Sequence, residues 1–278
     1  MNALLVKNLR KEYEKFTLED VSFGLNQGEI MGFIGRNGAG KTTTLKCLLN
    51  YVHPNQGEIQ FFGKTFRDHE QEIKQRIGFV SGGVDYYTKK KIRTITEVTR
   101  RFYTNWNEDA YRGYMQRLDL DENKTPSALS AGMKVKYSLA LALSHHAELL
   151  ILDEPTSGLD PISRDDLLDV FLGLASEGVT ILFSTHITSD LEKCADTITH
   201  IMKGRIVASE PLESYVARYR LLHLTDEQLT ETLKPALMGL NRAKHGYTAL
   251  VRADESDRLG LMAEPANLET IMIHLERE

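Results

Sequence analysis

The sequence predicts an α/β domain with a largely parallel sheet, and three features carry this prediction. Apolar runs of the length of a buried strand occur at residues 30–34, 149–152 and 179–183. Helical patterns separate these runs, including an amphipathic pattern at 161–176. A glycine-rich loop at 35–42 joins the first run to a helix. Strands that alternate with helices are typical of a parallel sheet covered by helices.

The loop at residues 35–42 reads Gly-Arg-Asn-Gly-Ala-Gly-Lys-Thr, which is the phosphate-binding pattern G-x-x-x-x-G-K-T. Glycines let successive N–H groups point at phosphate oxygens, and the following helix adds its positive end. Lys41 is placed to reach the β- and γ-phosphates, and Thr42 to offer its hydroxyl to Mg²⁺. The alternative, a glycine turn before an exposed lysine, is disfavoured by the strand and helix on either side. The residues expected to hold the nucleotide here are Gly35, Asn37, Gly38, Ala39, Gly40, Lys41, Thr42 and Thr43.

Composition narrows the class of protein. The chain has 278 residues, 26% charged residues and a formal net charge of −5, which gives no reason to expect nucleic acid as a partner. Its two cysteines, Cys47 and Cys194, are far apart and predict neither a disulfide framework nor a metal cluster. Lys7 ends the first apolar run too early for a signal peptide, and no run approaches the ~20 residues that span a bilayer. We therefore expect a cytoplasmic protein whose membrane part, if one is needed, belongs to another chain.

Two further strands deliver polar residues to the same edge of the sheet. The run at 149–152 ends in Asp153 and Glu154, and the run at 179–183 is followed closely by His186. Ligands of open α/β sheets bind at the carboxyl ends of the strands. Asp153 is suited to hold Mg²⁺, Glu154 to polarise an attacking water, and His186 to contact the γ-phosphate. The plainer alternatives are solvated acids at a strand end and a capping histidine.

The remaining segments suggest a subdivided chain. Strands are predicted within residues 3–25, and Tyr13 is expected in a polar turn between them. Tyr13 is either a half-buried surface residue or an aromatic platform on which a nucleotide base stacks. Residues 94–147 read as a helical subdomain inserted into the ATPase-like core of residues 1–209. Residues 210–278 read as a small α+β appendage that ends in an amphipathic helix capped by Asn267.

These motifs together resemble the ATP-binding subunits of ABC transporters, over residues 3–209. Residues 35–42 match Walker A, 149–154 match Walker B with its catalytic glutamate, and 157–160 match the D-loop. His186 matches the switch histidine. Leu129-Ser130-Ala131-Gly132-Met133 is similar to the signature L-S-G-G-Q. Five motifs in one order make a chance match negligible.

The resemblance implies a P-loop core of the ABC type with an antiparallel β subdomain and a helical subdomain. It implies ATP and Mg²⁺ as cofactors, with Tyr13 stacking on the adenine. Ser130 and Gly132 begin a helix and would face the γ-phosphate bound by a second ATPase subunit, either a copy of this chain or a similar one. Asp160 belongs to the D-loop in the same interface. Lys41, Glu154 and His186 are then the catalytic residues.

The resemblance also implies a separate integral-membrane permease, which holds the subunit peripherally at the inner face of the membrane. Met133 followed by Lys134, and the ending Leu-Glu-x-Ile at 268–271, are similar to the branch that serves ABC-2-type exporters of drugs and antimicrobial peptides. Three positions depart from the family. Gly82 stands where a glutamine is usual, so coupling is expected to rest on other residues of the loop 84–88; Ala131 replaces a glycine and Met133 a glutamine.

Two other kinds of function stay open on the sequence. The first is an ATPase of this type without a permease, working on DNA or ribosomes or as a regulatory module. The second is an ATPase that drives import. The cargo, and the role of residues 210–278, cannot be inferred from these motifs.

Overall fold

In the computed structural model, the residues that the structure describes are 1–82, 87–260 and 262–277. Its strands, in chain order, are β1 Asn2–Tyr13, β2 Phe16–Asn26, β3 Ile30–Ile34, β4 Gln56–Phe61, β5 Ile77–Ser81, β6 Leu149–Asp153, β7 Thr180–Thr185, β8 Thr197–Met202, β9 Arg205–Pro211, β10 Tyr219–Leu224, β11 Met238–Arg242, β12 Tyr247–Arg252 and β13 Ala263–Pro265. Its α-helices are α1 Lys41–Leu48, α2 Phe66–Arg76, α3 Ile92–Thr99, α4 Glu108–Arg117, α5 Ala131–Ser144, α6 Pro161–Ser176, α7 Thr188–Cys194, α8 Leu212–Ala217, α9 Ala253–Leu259 and α10 Leu268–Leu275.

The central sheet has six strands in the order β5-β6-β7-β3-β8-β9. The first five are parallel, and β9 pairs antiparallel with β8. The interior strands β3, β6 and β7 are buried almost throughout. Helices α5, α6 and α7 pack on one face of the sheet, and α1 packs on the other together with the antiparallel strands β1, β2 and β4. The predicted parallel α/β sheet is confirmed, and its carboxyl edge brings together the loops that follow β3, β6 and β7.

The N-terminal strands form a separate antiparallel sheet in the order β2-β1-β4. β1 is longer than the apolar run that predicted it, since it continues through polar residues to Tyr13. Pairing with strands on both of its edges supplies the backbone hydrogen bonds that hold this polar half extended. Tyr13 is therefore the last residue of a strand, and placing it in a turn was wrong.

A helical subdomain is inserted between β5 and β6, as predicted. It consists of α3, α4 and α5 around a small apolar cluster of its own. The hydroxyl of Thr96 lies 2.9 Å from the hydroxyls of both Tyr111 and Tyr137, so the buried tyrosines of this cluster have hydrogen-bond partners. The chain between α4 and α5 is irregular apart from a short 3-10 turn at Pro126–Ala128, so the helical pattern is less continuous than expected.

The C-terminal residues form a four-stranded sheet in the order β11-β12-β10-β13, with α10 packed on it. β11, β13, α7 and α9 were not predicted. Apolar residues of α10 belong to the same buried cluster as β3 and β6 of the central sheet. β9 continues across the boundary predicted between residues 209 and 210, and the division into two units stays a prediction.

Within the described ranges, no helix combines the length and the apolar character that crossing a membrane requires.

Candidate nucleotide site

The glycine-rich loop lies between the end of β3 and the start of α1, as the motif requires. Gly38 and Gly40 have φ angles of 84° and 120°, a region that L side chains rarely adopt. At Gly38 a Cβ atom would meet nothing within 4 Å, so the loop is open on that side. At Gly35 a Cβ atom would lie 2.3 Å from the carbonyl oxygen of Ile201, so only glycine fits there. The loop thus has the curvature and the open cradle that a phosphate chain needs.

Lys41 is the charged residue at the bottom of this cradle. Its side chain is 5% exposed, and its Nζ donates to the carbonyl of Gly35 at 2.6 Å. The same Nζ lies 3.5 Å from Oε1 of Glu154. A buried ammonium group needs such partners, because burial without them is costly. Lys41 is therefore held in place at the carboxyl edge of the sheet.

Glu154 occupies a constrained position one residue after β6. Its φ is 50°, in the left-handed region, and its backbone N–H donates to the carbonyl of Ser184 at 3.0 Å. Its Oε2 lies 2.8 Å from Nδ1 of His186. Left-handed backbone at a non-glycine residue costs free energy, and such residues cluster at functional sites. The backbone here fixes a carboxylate between a lysine and a histidine.

Asp153 is oriented by the neighbouring strand, because Oγ of Ser184 donates to its Oδ1 at 2.6 Å. Together with the hydroxyl of Thr42, it offers oxygen donors of the kind that Mg²⁺ prefers. The described residues contain no group of three or more His, Cys, Asp or Glu side chains that could hold a metal by themselves. This donor set therefore fits Mg²⁺ only if phosphate oxygens and water complete its coordination, as is usual for this ion.

A cleft of about 680 Å³ runs along this edge of the sheet. Of the residues predicted to form the site, those that line it are Asn37, Gly38, Gly40, Lys41, Thr42, Thr43, Glu154 and His186. Four further residues line it that were not predicted: Lys15, Phe16, Arg36 and Ser157. Arg36 lies inside the glycine-rich loop and Ser157 inside the D-loop. Both residues could therefore have been identified from these motifs. Lys15 and Phe16 were missed because they lie in the turn and at the start of β2, where no motif marks them.

Several predicted residues lie outside the lining of this cleft: Tyr13, Gly35, Ala39, Ser130, Gly132, Asp153 and Asp160. Gly35 and the buried Ala39 shape the loop from behind. Tyr13 is exposed at the end of β1, with Nζ of Lys11 5.5 Å from its ring centroid. Its stacking on adenine stays a prediction.

The signature segment begins α5. The hydroxyl of Ser130 caps the helix by accepting from the backbone N–H of Met133 at 3.2 Å. Ala131 has no positive φ, so its methyl group is tolerated as expected. Gly132 is buried beside the D-loop, where a Cβ atom would come within 3.7 Å of Leu159. Met133 packs against the apolar cluster of the helical subdomain, which explains why an apolar residue is accepted there.

The D-loop and the position of the missing glutamine complete the predicted set. Asp160 caps α6 by accepting from the backbone N–H groups of Ile162 and Ser163 at 3.1 and 3.0 Å. Hydrogen bonds hold the pKa of Asp160 below its usual value, and the largest contribution comes from Ser163.

Gly82, at the position where the family usually has a glutamine, follows β5 with a φ of 57°, which suits glycine. Most of the loop expected to couple to the permease, 84–88, lies outside the described residues.

Comparison with known proteins agrees with this geometry. A family model described as "ABC transporter" matches residues 18–157, about half of the chain. The chain is 34% identical over 207 residues to "Bacitracin transport ATP-binding protein BcrA" of Bacillus licheniformis, covering 73% of this chain and 68% of that protein. It is 35% identical to "Nod factor export ATP-binding protein I" of Burkholderia orbicola (strain AU 1054), covering 73% and 68%. It is 28% identical to "ABC transporter ATP-binding protein YtrB" of Bacillus subtilis (strain 168), covering 92% and 91%.

Solved structures give the same result. "Structure of ATP binding subunit of ABC transporter" superposes with a TM-score of 0.69 at 28% identity, covering 76% of this chain and 91% of that one. "An inward-facing conformation of a putative metal-chelate type ABC transporter" superposes with a TM-score of 0.65 at 26% identity, covering 91% and 98%. The chain belongs to the ATP-binding subunits of ABC transporters, is an ATPase, and stands close to the drug and peptide exporter branch of that family.

Proposed function

We propose that this subunit hydrolyses ATP with Mg²⁺ to power a separate membrane permease that exports a peptide or drug-like substrate. The observation that carries the proposal is the grouping of Lys41, Glu154 and His186 in one cleft beside the glycine loop. The names of the bacitracin and Nod factor relatives support the direction and the class of cargo. The permease holds the subunit at the inner face of the membrane.

In the proposed mechanism the loop N–H groups and Lys41 bind the phosphates of ATP, and Tyr13 stacks on its base. Thr42 and Asp153 would hold Mg²⁺, which would supply positive charge next to the phosphates. Glu154 orients and polarises the attacking water, and His186 contacts the γ-phosphate. Phosphoryl transfer demands mainly positioning and charge neutralisation, which this set of residues supplies.

One chain offers only part of the proposed site, which favours a pair of subunits. Ser130 lies at the start of α5 and outside the lining of its own nucleotide cleft. Its helix start is suited to an anion. Two chains, whether two copies of this one or this one and a similar one, would bind two ATP molecules head to tail between the loop of one subunit and Ser130 and Gly132 of the other, with Asp160 in the same interface. ATP then closes the pair, and hydrolysis releases it.

We propose that the permease contacts a groove between the central sheet and the helical subdomain. It is lined by Tyr51, Phe79, Tyr103 and His145, and has a volume of about 550 Å³. Tyr51 and the nearby Phe102 expose 68% and 72% of their surface. Exposed aromatic side chains at a groove are typical of an interface for a partner protein. The groove also lies beside β5, at whose end Gly82 replaces the usual glutamine, so aromatic contacts would carry the coupling.

Size-exclusion chromatography with light scattering tests the proposed pair. In a Glu154→Gln background, ATP should convert the subunit to a dimer. Ser130→Arg in that background should abolish dimerisation and leave nucleotide binding intact, because it blocks the helix start that would face the ATP bound by the partner. Ser176→Arg, an exposed serine at the far end of α6, is the matched control and should dimerise normally. Dimerisation that survives Ser130→Arg would refute the head-to-tail arrangement.

A further inference from the structure

Three polar side chains lie on the segments that carry the proposed catalytic residues, and two of them, Thr156 and Asp190, are buried. Thr156 follows Glu154 by two residues and is fully buried. Arg164 lies in the first turns of α6, directly after the D-loop. Asp190 lies in α7, which begins shortly after His186, and is 1% exposed. The three side chains therefore connect the Walker B, D-loop and switch-histidine segments.

Their hydrogen bonding is incomplete. Nε of Arg164 lies 3.9 Å from Oδ1 of Asp190, which is too long for a hydrogen bond. Within the part of the chain that the structure describes, Nε of Arg164 and Oδ2 of Asp190 are buried without a hydrogen-bond partner. Buried polar atoms rarely lack a partner, so two of them on facing side chains require an explanation. A small approach of α6 to α7 would bring Nε of Arg164 within hydrogen-bond distance of Asp190.

Arg164 already touches the D-loop, since its Nη2 donates to the carbonyl of Leu159 at 3.4 Å. The charged groups that act on Asp190 are Arg164, Glu154 and His186. Burial raises the pKa of Asp190, while a hydrogen bond with Thr156 and then the charge of Arg164 act in the opposite direction. A tighter contact with Arg164 would thus stabilise the carboxylate.

We propose that Arg164 and Asp190 form a closing contact that links the D-loop to the switch histidine during the ATP cycle. In the arrangement seen here the contact is open. When ATP binds, Nε of Arg164 reaches the carboxylate of Asp190, which Thr156 holds in place. This step fixes Leu159 and Asp160 relative to His186 and Glu154. Arg164 and Asp190 are positioning residues, and their role in dimerisation rests on the proposed function.

Amide hydrogen exchange with and without ATP tests the contact directly. In the Glu154→Gln parent, ATP should increase the protection of residues 156–164 and of α7. Asp190→Asn and Arg164→Gln should each remove this increase, and the double variant should behave like either single variant. Thr156→Val should have a smaller effect in the same direction. Unchanged ATP-dependent protection in Asp190→Asn and Arg164→Gln would overturn the proposal, whether or not the protein dimerises.

Dimerisation provides a second readout that a merely structural role would not move. Asp190→Asn should raise the ATP concentration for half-maximal dimerisation about tenfold. ATP affinity of the monomer, measured with Ser130→Arg added, should change less than twofold. Arg218→Gln is the control, because it breaks an ion pair with Glu210, 2.8 Å long and remote from the site. Equal effects of Arg218→Gln and Asp190→Asn on dimerisation would overturn the proposal, whereas a parent that fails to dimerise would refute the proposed function instead.

Discussion

Nδ1 of His186 lies 2.8 Å from Oε2 of Glu154, while Oε1 of the same carboxylate lies 3.5 Å from Nζ of Lys41. Glu154 therefore joins two groups that the proposed mechanism directs at the γ-phosphate. An incoming phosphate must compete with this carboxylate for Lys41. The arrangement couples the arrival of ATP to the release of Glu154 for its proposed task of orienting water.

Glu154→Gln should separate binding from turnover. The neutral amide competes less for Lys41, so we expect the Kd for ATP to be equal to or lower than that of the wild type. Without the carboxylate, kcat should fall by about 10²- to 10⁴-fold. Nucleotide titration and steady-state hydrolysis measure the two quantities, with Asp166→Asn on the exposed face of α6 as the matched control. Hydrolysis by Glu154→Gln at the wild-type rate would show that the assigned role is wrong.

His186→Ala should lower kcat by about 100-fold and change the Kd for ATP by less than threefold, because in the proposed mechanism the imidazole contacts the γ-phosphate as well as Glu154. His223→Ala is the control, since His223 is exposed on β10 in the C-terminal sheet. The measurement is steady-state hydrolysis over a range of ATP concentrations. If kcat of His186→Ala stays within threefold of the wild type, His186 has no part in the reaction.

Acid should destabilise the fold through two buried histidines. Burial lowers the pKa of both His145 and His200 from 6.5 to about 4. Between these values the unfolded chain binds protons that the folded chain does not, so the free energy of unfolding falls as the pH drops from 6.5 to 4. The loss approaches about 3 kcal/mol for each histidine.

Urea unfolding across this pH range measures the effect. Because Nδ1 of His145 lies 3.1 Å from the carbonyl of Gln75, His145→Gln keeps a donor at this position without a titrating group. Its stability should therefore depend less steeply on pH than that of the wild type. Parallel curves for the two proteins would exclude His145 as a source of the acid sensitivity.

The attachment of the last helix depends on its cap. The side chain of Asn267 accepts from the backbone N–H of Thr270 at 2.8 Å, and Oε1 of Glu192 on α7 accepts from the backbone N–H of Leu268 at 2.8 Å. Asn267→Ala should lower the free energy of unfolding by about 1 kcal/mol, and Asn267→Asp should restore it. Denaturant unfolding of the wild type and of the two variants measures these differences in the free energy of unfolding. An alanine variant as stable as the wild type would show that the cap contributes nothing.

The parts of the structure that follow from local pattern could be predicted from the sequence. The buried strands β3, β6 and β7 are continuous apolar runs, and the glycine loop is specified by residue type and spacing. The polar half of β1 could not be predicted, because its extended conformation depends on pairing with β2 and β4. Short elements such as α7 and β13 contain too few residues to show a period.

The candidate site, like the fold, could be predicted only in part from the sequence. Residue types in motifs predicted Lys41, Glu154 and His186, but their mutual distances depend on segments far apart in the chain. The left-handed backbone of Glu154 and the incomplete contact between Arg164 and Asp190 are tertiary features without a local pattern. The proximity of Phe16 to the loop at Gly40, where a Cβ atom would lie 3.0 Å from the ring, also depends on packing.

Co-purification tests the central claim, that this ATPase powers a membrane permease. Glu154→Gln would be tagged in its native cells, the membranes solubilised with ATP present, and the co-purifying proteins identified by mass spectrometry. We expect one or two multi-spanning membrane proteins in stoichiometric amount. Recovery of soluble partners alone from the ATP-trapped protein would contradict the account.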